Sequence, residues 1–227
     1  MVFKETLFQY AKNLEVVLRN IDYHTTETIL LAICFLLITV VKITDETRFS
    51  SFLILLFSNK YLKIYGKDKQ LNLNWFNILL FSNQVIIFSI LIKLTFALFG
   101  EELDVPLLVI ILILTLFILF KFYLEKLLAE IFELEKFSEY YNFHKVSYRN
   151  YIAIILLPFL ALIIYSTLNK EVITILTIGL FLVLNLISFI LTLRNHQKLI
   201  QSRLFYFILY LCALEIAPYL LIYKWVY

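Results

Sequence analysis

The segment from Val105 to Leu124 reads VPLLVIILILTLFILFKFYL, and Lys121 is the one charged residue in it. An α-helix needs about 20 apolar residues to cross the hydrocarbon core of a bilayer, so this segment predicts a membrane span. The whole chain agrees, since 62% of its 227 residues are hydrophobic and 16% are charged. Soluble domains average about 45–50% apolar and about 25% charged residues. The composition therefore predicts a polytopic membrane protein.

Five other apolar runs have a similar length. The six predicted spans cover about 27–43, 75–99, 105–124, 150–168, 172–193 and 204–223. A further stretch, Phe49 to Phe57, is too short to cross and fits an interfacial or re-entrant helix that ends at Gly66. We therefore predict an all-α fold, a bundle of about six transmembrane helices that forms one domain over residues 27–227.

Residues 1–26 are predicted to form an amphipathic arm ahead of the bundle. Apolar residues recur there at three- and four-residue steps with charged residues between them, at Phe3, Leu7, Tyr10, Leu14, Val17, Leu18 and Ile21. A helix with this pattern lies flat on a membrane surface. Two roles fit the pattern, packing on its own bundle or docking onto another subunit.

Span three is predicted to continue beyond the membrane. The sequence KFYLEKLLAEIFELEKFSEYY, residues 121–141, keeps an apolar face and contains no Pro or Gly. A helix from Pro106 to Tyr141 would measure about 54 Å, whereas the hydrocarbon core is about 30 Å thick. The excess predicts a helix that projects into the cytosol, where it either packs on the neighbouring basic loop or docks a partner.

The distribution of Lys and Arg predicts the orientation. The loops after spans one, three and five hold fourteen of these residues, whereas the N-terminal arm, the loops after spans two and four and the C-terminus hold five. Cytoplasmic loops carry the excess of positive charge. Both termini are therefore predicted to lie outside the cytosol.

Glu215, inside the sixth span, is the leading candidate for a functional residue. A carboxylate at mid-span costs about 2.5 to 3.5 kcal/mol, so it needs a partner, a cavity or a proton path. Pro218 removes a backbone donor and predicts a kink beside it. Lys93 either pairs with Glu215 or extends its ammonium to the outer interface. The amides of Asn83 and Asn185 complete the intramembrane candidates.

Catalytic, cofactor and metal motifs are not found in the sequence. The three His residues fall in separate loops and the two Cys residues in separate spans, so we predict neither a cofactor nor a metal site. The basic residues lie in loops and form no stripe, so no nucleic-acid partner is expected. The expected partners are membrane lipids and a second membrane protein or a second copy of the chain.

The first cytosolic loop contains FSNKYLKIYGK, residues 57–67, whose aromatic and basic residues suit anchoring on an anionic inner leaflet. Together with FNILLFSNQVIIFSILI, residues 76–92, and FYFILYLCALEIAPYLLIYK, residues 205–224, it resembles a family of inner-membrane proteins of the Bacteroidota known as a domain of unknown function. The resemblance covers about residues 25–224 and implies a bacterial inner membrane and a part in envelope or secretion machinery. In an inner membrane, the orientation predicted from the Lys and Arg distribution places both termini in the periplasm. The resemblance draws attention to Ser58, Asn59, Lys60, Tyr61, Gly66, Lys67, Tyr210, Glu215, Pro218 and Tyr219.

Three functions fit these observations. The leading hypothesis is a non-enzymatic subunit or assembly factor of an envelope or protein-secretion complex, because no catalytic motif occurs and span three projects from the membrane. A small transporter or proton-coupled component would use Glu215 and Lys93. A membrane-embedded lipid-modifying enzyme would need a polar cavity near Glu215.

Overall fold

The computed structural model describes residues 25–56, 58, 60–66, 74–98, 100, 105–131, 135–166 and 169–195. Every regular element in these ranges is an α-helix: α1 Thr25–Thr44, α2 Glu46–Leu53, α3 Lys60–Tyr65, α4 Trp75–Leu98, α5 Leu107–Ile131, α6 Glu135–Tyr165 and α7 Lys170–Asn195. Helices α1, α4, α5, α6 and α7 are long and apolar enough to cross a membrane. The all-α membrane bundle predicted from the sequence is confirmed.

These five helices overlap the first five predicted spans, although α6 begins 15 residues before the predicted start of span four at residue 150. Because consecutive crossings reverse direction, Glu27 at the start of α1 lies beside Lys93 near the end of α4. Glu125 near the end of α5 likewise lies beside Lys145 near the start of α6. The predicted sixth span, residues 204–223, and the predicted amphipathic arm up to residue 24 lie outside the described residues.

Helices α4 and α6 form the centre of the described bundle. In the most apolar 18-residue segment of each helix, 61% of α6 and 44% of α4 is buried, but only 6% of α5. Helix α6 packs against both α4 and α7, and α1 packs against α4. Side chains buried between α1, α4 and α6 form a transmembrane core that includes Leu31, Cys34, Ile87, Ile90, Leu156 and Leu160. Helix α5 therefore lies at the edge, with most of its apolar surface exposed.

A second core lies at the end of the bundle where α1 stops and α4 begins. We call it the juxtamembrane cluster, and its buried residues are Val41, Phe49, Phe52, Leu55, Tyr61, Leu62, Phe76, Leu80, Phe143, Tyr148 and Tyr151. The Phe52 ring meets the rings of Tyr61, Phe76 and Tyr151 edge-on at centroid distances of 5.3, 6.2 and 5.8 Å. Such edge-to-face pairs add about 0.5–1.5 kcal/mol each beyond area burial. The short helices α2 and α3 are held to the bundle by this cluster.

The predicted continuation of span three as one helix to Tyr141 is wrong. Helix α5 does extend past the predicted end of the span, but it stops at Ile131, and Glu135–Tyr165 forms the separate helix α6. The chain reverses between them, so that the Lys145 ammonium reaches the Glu125 carboxylate. Residues Tyr141 and Phe143 are buried in the returning helix. Burial of this aromatic segment and the ion pair favour the reversal over a straight projecting helix.

The predicted single helix from Phe49 to Gly66 is also wrong. Two short helices replace it, Glu46–Leu53 and Lys60–Tyr65. Asp45 caps the first one, because its Oδ1 accepts the backbone N–H of Arg48 at 2.9 Å. Eight residues of helix span about 12 Å, less than half of the roughly 30 Å core. The prediction that this segment does not cross the membrane is consistent with that length.

Candidate functional site

Two buried intramembrane amides lie on one turn of α4. Asn83 is 1% exposed and Gln84 is fully buried. None of the four amide nitrogen and oxygen atoms has a hydrogen-bond partner in the part of the chain that the structure describes. An unsatisfied buried polar group costs about 1–3 kcal/mol. Two adjacent buried amides without partners cost free energy of folding. This turn of α4 is therefore a candidate site for a polar partner.

Lys93 forms an ion pair that sequence reasoning missed. Its Nζ lies 2.7 Å from Oε1 of Glu27, whose side chain is 7% exposed, while the Lys93 side chain is 36% exposed. Glu27 lies in the first turn of α1, where the helix dipole favours a carboxylate. Lys93 therefore has a partner in span one, and the predicted alternative partner, Glu215, lies outside the described residues together with Pro218. The signal was present in the sequence, because the start of span one and the end of span two share one membrane level.

The described intramembrane candidates do not converge on one point. Asn83 and Lys93 are ten residues apart on α4, which corresponds to about 15 Å along the helix. Asn185 lies on α7, and its Nδ2 donates to the backbone carbonyl of Phe181 at 2.7 Å within the same helix. The described structure thus provides an ion pair at one end of the bundle and a buried amide pair nearer its middle.

The loop candidate Tyr61 lies in a site that the sequence did not reveal. Its neighbour is Arg48 of α2, a charged residue that is 3% exposed. The guanidinium carbon of Arg48 lies 4.4, 4.9 and 5.9 Å from the ring centroids of Phe76, Tyr65 and Tyr61. We call Arg48 and these three rings the arginine cage. A guanidinium over aromatic faces gains about 0.5–1 kcal/mol at exposed sites and about 2 when desolvated.

Polar contacts complete the arginine cage. The Nη2 group of Arg48 donates to Oδ1 of Asn77 at 3.2 Å. The hydroxyl of Tyr61 is hydrogen-bonded to the side chains of Arg48 and Ser147. Burial raises the pKa of the Tyr61 hydroxyl above its usual range, and the positive charge of Arg48 opposes that shift. The cage therefore joins α2, α3, α4 and α6 through one buried cation and a protonated phenol.

The other loop candidates surround α3. Lys60 is exposed at its first position, and its backbone N–H donates to Oγ of Ser58 at 3.3 Å. Gly66 follows its last residue, and a Cβ at that position would lie 2.8 Å from Cε2 of Tyr140 in α6 and in contact with the Leu62 carbonyl. Glycine is therefore needed where α3 abuts α6. Asn59 and Lys67 lie outside the described residues.

The described residues contain no group of three or more His, Cys, Asp or Glu side chains that could hold a metal ion. His144 is buried in α6, and its ring lies 4.5 Å from the ring of Tyr140. The other two histidines, His24 and His196, lie outside the described ranges. The site chemistry that the described side chains offer is ion pairing, hydrogen bonding and cation–aromatic packing.

Five apolar helices and a polar, aromatic junction at one end of them define a multi-pass helical membrane protein. The chain belongs to the family described as Domain of unknown function (DUF4271), which matches residues 28–226. That range includes both the arginine cage and the α4 amides. No curated protein matches the chain, and no solved structure matches it.

Proposed function

We propose that the protein is a non-enzymatic subunit or assembly factor of an envelope or protein-secretion complex in a bacterial inner membrane. One feature of α5 supports this proposal. A row of large apolar side chains runs along its outer face, each between 57% and 66% exposed: Leu112, Leu116, Phe120, Tyr123, Leu127 and Ile131. We call it the α5 row. At 3.6 residues per turn its members fall within about 100° of the helix circumference.

The outer end of the α5 row lies beyond the apolar part of the helix. Leu127 and Ile131 follow Lys121, the first charged residue of α5, by six and ten residues, or about 9 and 15 Å. Charged Glu125 and Glu130 alternate with them. Lipid tails cover apolar side chains within the hydrocarbon, but not those that emerge from it. An exposed apolar row outside the hydrocarbon marks an interaction surface.

The continuity of the α5 row defines the kind of partner. It runs from mid-span at Leu112 and Leu116 to Ile131 beyond the charged boundary, and exposed Glu130 lies on the same side between its last two members. A transmembrane helix that itself continues beyond the membrane would cover the whole row. The proposed partner is therefore an integral protein with such a helix. With the fourteen-to-five distribution of Lys and Arg, the extension is proposed to lie in the cytosol and both termini in the periplasm.

Site-specific photocrosslinking in native membranes tests the proposal. A photoreactive residue replaces Leu127 or Ile131 in the α5 row, and matched controls replace Leu182 or Leu186, each 61% exposed on α7. The expected result is one adduct with a different membrane protein, obtained from α5 and not from α7. That protein should co-purify stoichiometrically with the wild type and be lost with Leu127→Glu. Adducts of equal yield from both helices, or an α5 adduct with twice the mass of the chain, would refute a heteromeric subunit.

A second candidate function, a small proton-coupled or transport component, is favoured by the buried amides. Asn83 and Gln84 place four polar atoms without described partners inside α4. Glu215 is proposed as the carboxylate that uses this polar region, with Lys93 held separately by Glu27. Proton uptake into proteoliposomes that is abolished by Glu215→Gln and retained in Lys93→Gln would support this function. Full uptake by Glu215→Gln would exclude it.

A further inference from the structure

The outer side of α7 carries an apolar surface that is largely exposed. Its large side chains are each between 52% and 66% exposed: Val172, Leu176, Val183, Leu186 and Ile190. They follow one another at four- and three-residue steps, with Gly179 at the remaining step, so they fall within about 80° of the helix circumference. A Cβ at Gly179 would meet open space. We call these six residues the α7 face.

The opposite side of α7 is already occupied within the bundle. Thr174, Thr177 and Leu184 are buried there. Phe181 meets Phe88 of α4 edge-on at a centroid distance of 5.4 Å, and α7 also packs against α6. A further helix that comes to lie beside α7 therefore has the α7 face available to it.

The chain beyond α7 is long enough to supply that helix. Helix α7 ends at Asn195, and the predicted sixth span, which lies outside the described residues, begins at residue 204. The connection between them has eight residues, 196–203, and reaches about 28 Å at most. Connections of this length in helical bundles join neighbouring antiparallel helices. The length of the chain therefore favours a position of the sixth span beside α7.

The two surfaces match in level and in side-chain size. Because spans five and six are antiparallel, their midpoints, Val183 and Ala213, lie at the same depth in the membrane. One turn away, Gly179 lies level with Ala217. The same four- and three-residue steps occur in span six at Tyr206, Tyr210, Ala213, Ala217 and Leu220. Small residues in the middle of both surfaces let two helix backbones approach closely in a membrane, and alanine opposite Gly179 still leaves room for one methyl group there.

We propose that residues 204–223 of this chain pack as an antiparallel helix against the α7 face, through the five residues from Tyr206 to Leu220 named above. Glu215 lies two residues from both Ala213 and Ala217, so at 100° per residue it is on the far side of that helix from α7. The polar partner that its carboxylate needs inside hydrocarbon is then provided by the partner subunit and not by α7. This last step rests on the proposed subunit function, whereas the packing itself does not.

Disulfide formation in the full-length protein, oxidised in native membranes, tests the packing. The background carries Cys34→Ala and Cys212→Ala, which remove the two native thiols. Val183→Cys is combined with Ala213→Cys in one variant and with Ala217→Cys in another. A disulfide requires Cα atoms within about 7 Å of each other. Trypsin cuts in the basic connection between the two spans, so mass spectrometry detects the linked peptides.

Matched controls occupy the same depth on the other exposed helix faces. Leu116→Cys on α5 and Leu36→Cys on α1 replace side chains that are 59% and 64% exposed near the middle of their spans, and each is combined with Ala213→Cys. A third control, Val183→Cys with Glu215→Cys, tests the orientation of span six. All three should stay reduced, and a Val183→Cys pair with Ala213→Cys or Ala217→Cys should give about tenfold more linked peptide, because only its Cα atoms come within disulfide range.

Three outcomes would overturn the packing: a disulfide with α5 or α1 in place of α7, no disulfide from either Val183→Cys pair in a folded protein, or a disulfide-linked dimer from Val183→Cys, which would show a second copy on the α7 face. Oxidation of the Glu215→Cys pair would overturn the orientation of the carboxylate. If the background does not fold, a photoreactive residue at Val183 in the chain with native cysteines should crosslink to a peptide within residues 204–223. An adduct with another protein instead would overturn the proposal, whereas failure of the partner crosslinks at the α5 row would leave it standing.

Discussion

Replacing Arg48 by Met should destabilise the protein by about 2–3 kcal/mol. The change removes a desolvated cation from three aromatic rings, an interaction that contributes about 2 kcal/mol in a buried setting. It also removes the hydrogen bond from Nη2 to Asn77, and such bonds from charged groups contribute about 1.5–3 kcal/mol. Met recovers part of the loss, because it fills much of the same volume without a charge to desolvate.

The assay is thermal unfolding in detergent, followed by size-exclusion chromatography of a fluorescently tagged protein after heating. A change of 1 kcal/mol shifts the Tm of a chain of this size by about 2–4 °C, so Arg48→Met should lower it by about 4–12 °C. Arg48→Lys should give an intermediate loss, since it keeps the charge but not the planar fork. Lys63→Met, at an exposed position of α3, is the matched control and should stay within about 2 °C.

A double-mutant cycle separates the arginine cage from general packing. Tyr61→Phe removes the hydroxyl that is hydrogen-bonded to Arg48, and the coupling energy between Arg48→Met and Tyr61→Phe should be about 1 kcal/mol. An Arg48→Met protein that unfolds at the wild-type temperature would refute the reasoning. It would mean that the free-energy cost of desolvating the guanidinium cancels the stabilisation from the aromatic rings and from the Asn77 amide.

Three further outcomes are expected. Gly66→Ala should destabilise the protein by about 1–3 kcal/mol, because its methyl group meets the Leu62 carbonyl and the Tyr140 ring. Gly179 has open space around it in helix α7, so Gly179→Ala should be neutral or stabilise the protein by up to about 1 kcal/mol. The Tm measures both changes, and equal effects would contradict the argument. Glu27→Gln with Lys93→Met should show a coupling of about 1 kcal/mol in a thermal double-mutant cycle; zero coupling would mean that the 2.7 Å pair contributes nothing. Folding raises the pKa of the Tyr61 hydroxyl, so this group loses its proton in the unfolded state first as pH rises. The free energy of unfolding should therefore fall as pH rises above about 10. Thermal melting as a function of pH should show a less steep fall in Tyr61→Phe.

The sequence predicted what depends on continuous apolar length. A run such as Leu107–Phe120 can satisfy its backbone in lipid only as a helix, so α5 and the other four described spans lie where hydropathy placed them. The same rule could not locate the end of α5. Residues 121–141 keep helical periodicity throughout, and periodicity does not reveal that the chain reverses. The reversal depends on long-range contacts, above all the pairing of Glu125 with Lys145.

The candidate site was predictable only in part, for a related reason. Tyr61 and Gly66 were identified within one segment, but the side chains that give them a role come from elsewhere in the chain. Arg48 was counted only as a loop charge that orients the protein, yet it is buried in the arginine cage. Glu27 is the first residue of predicted span one and was not identified as a candidate, yet antiparallel packing brings it to Lys93. Pairings between distant segments follow from helix packing, which one sequence without its fold does not define.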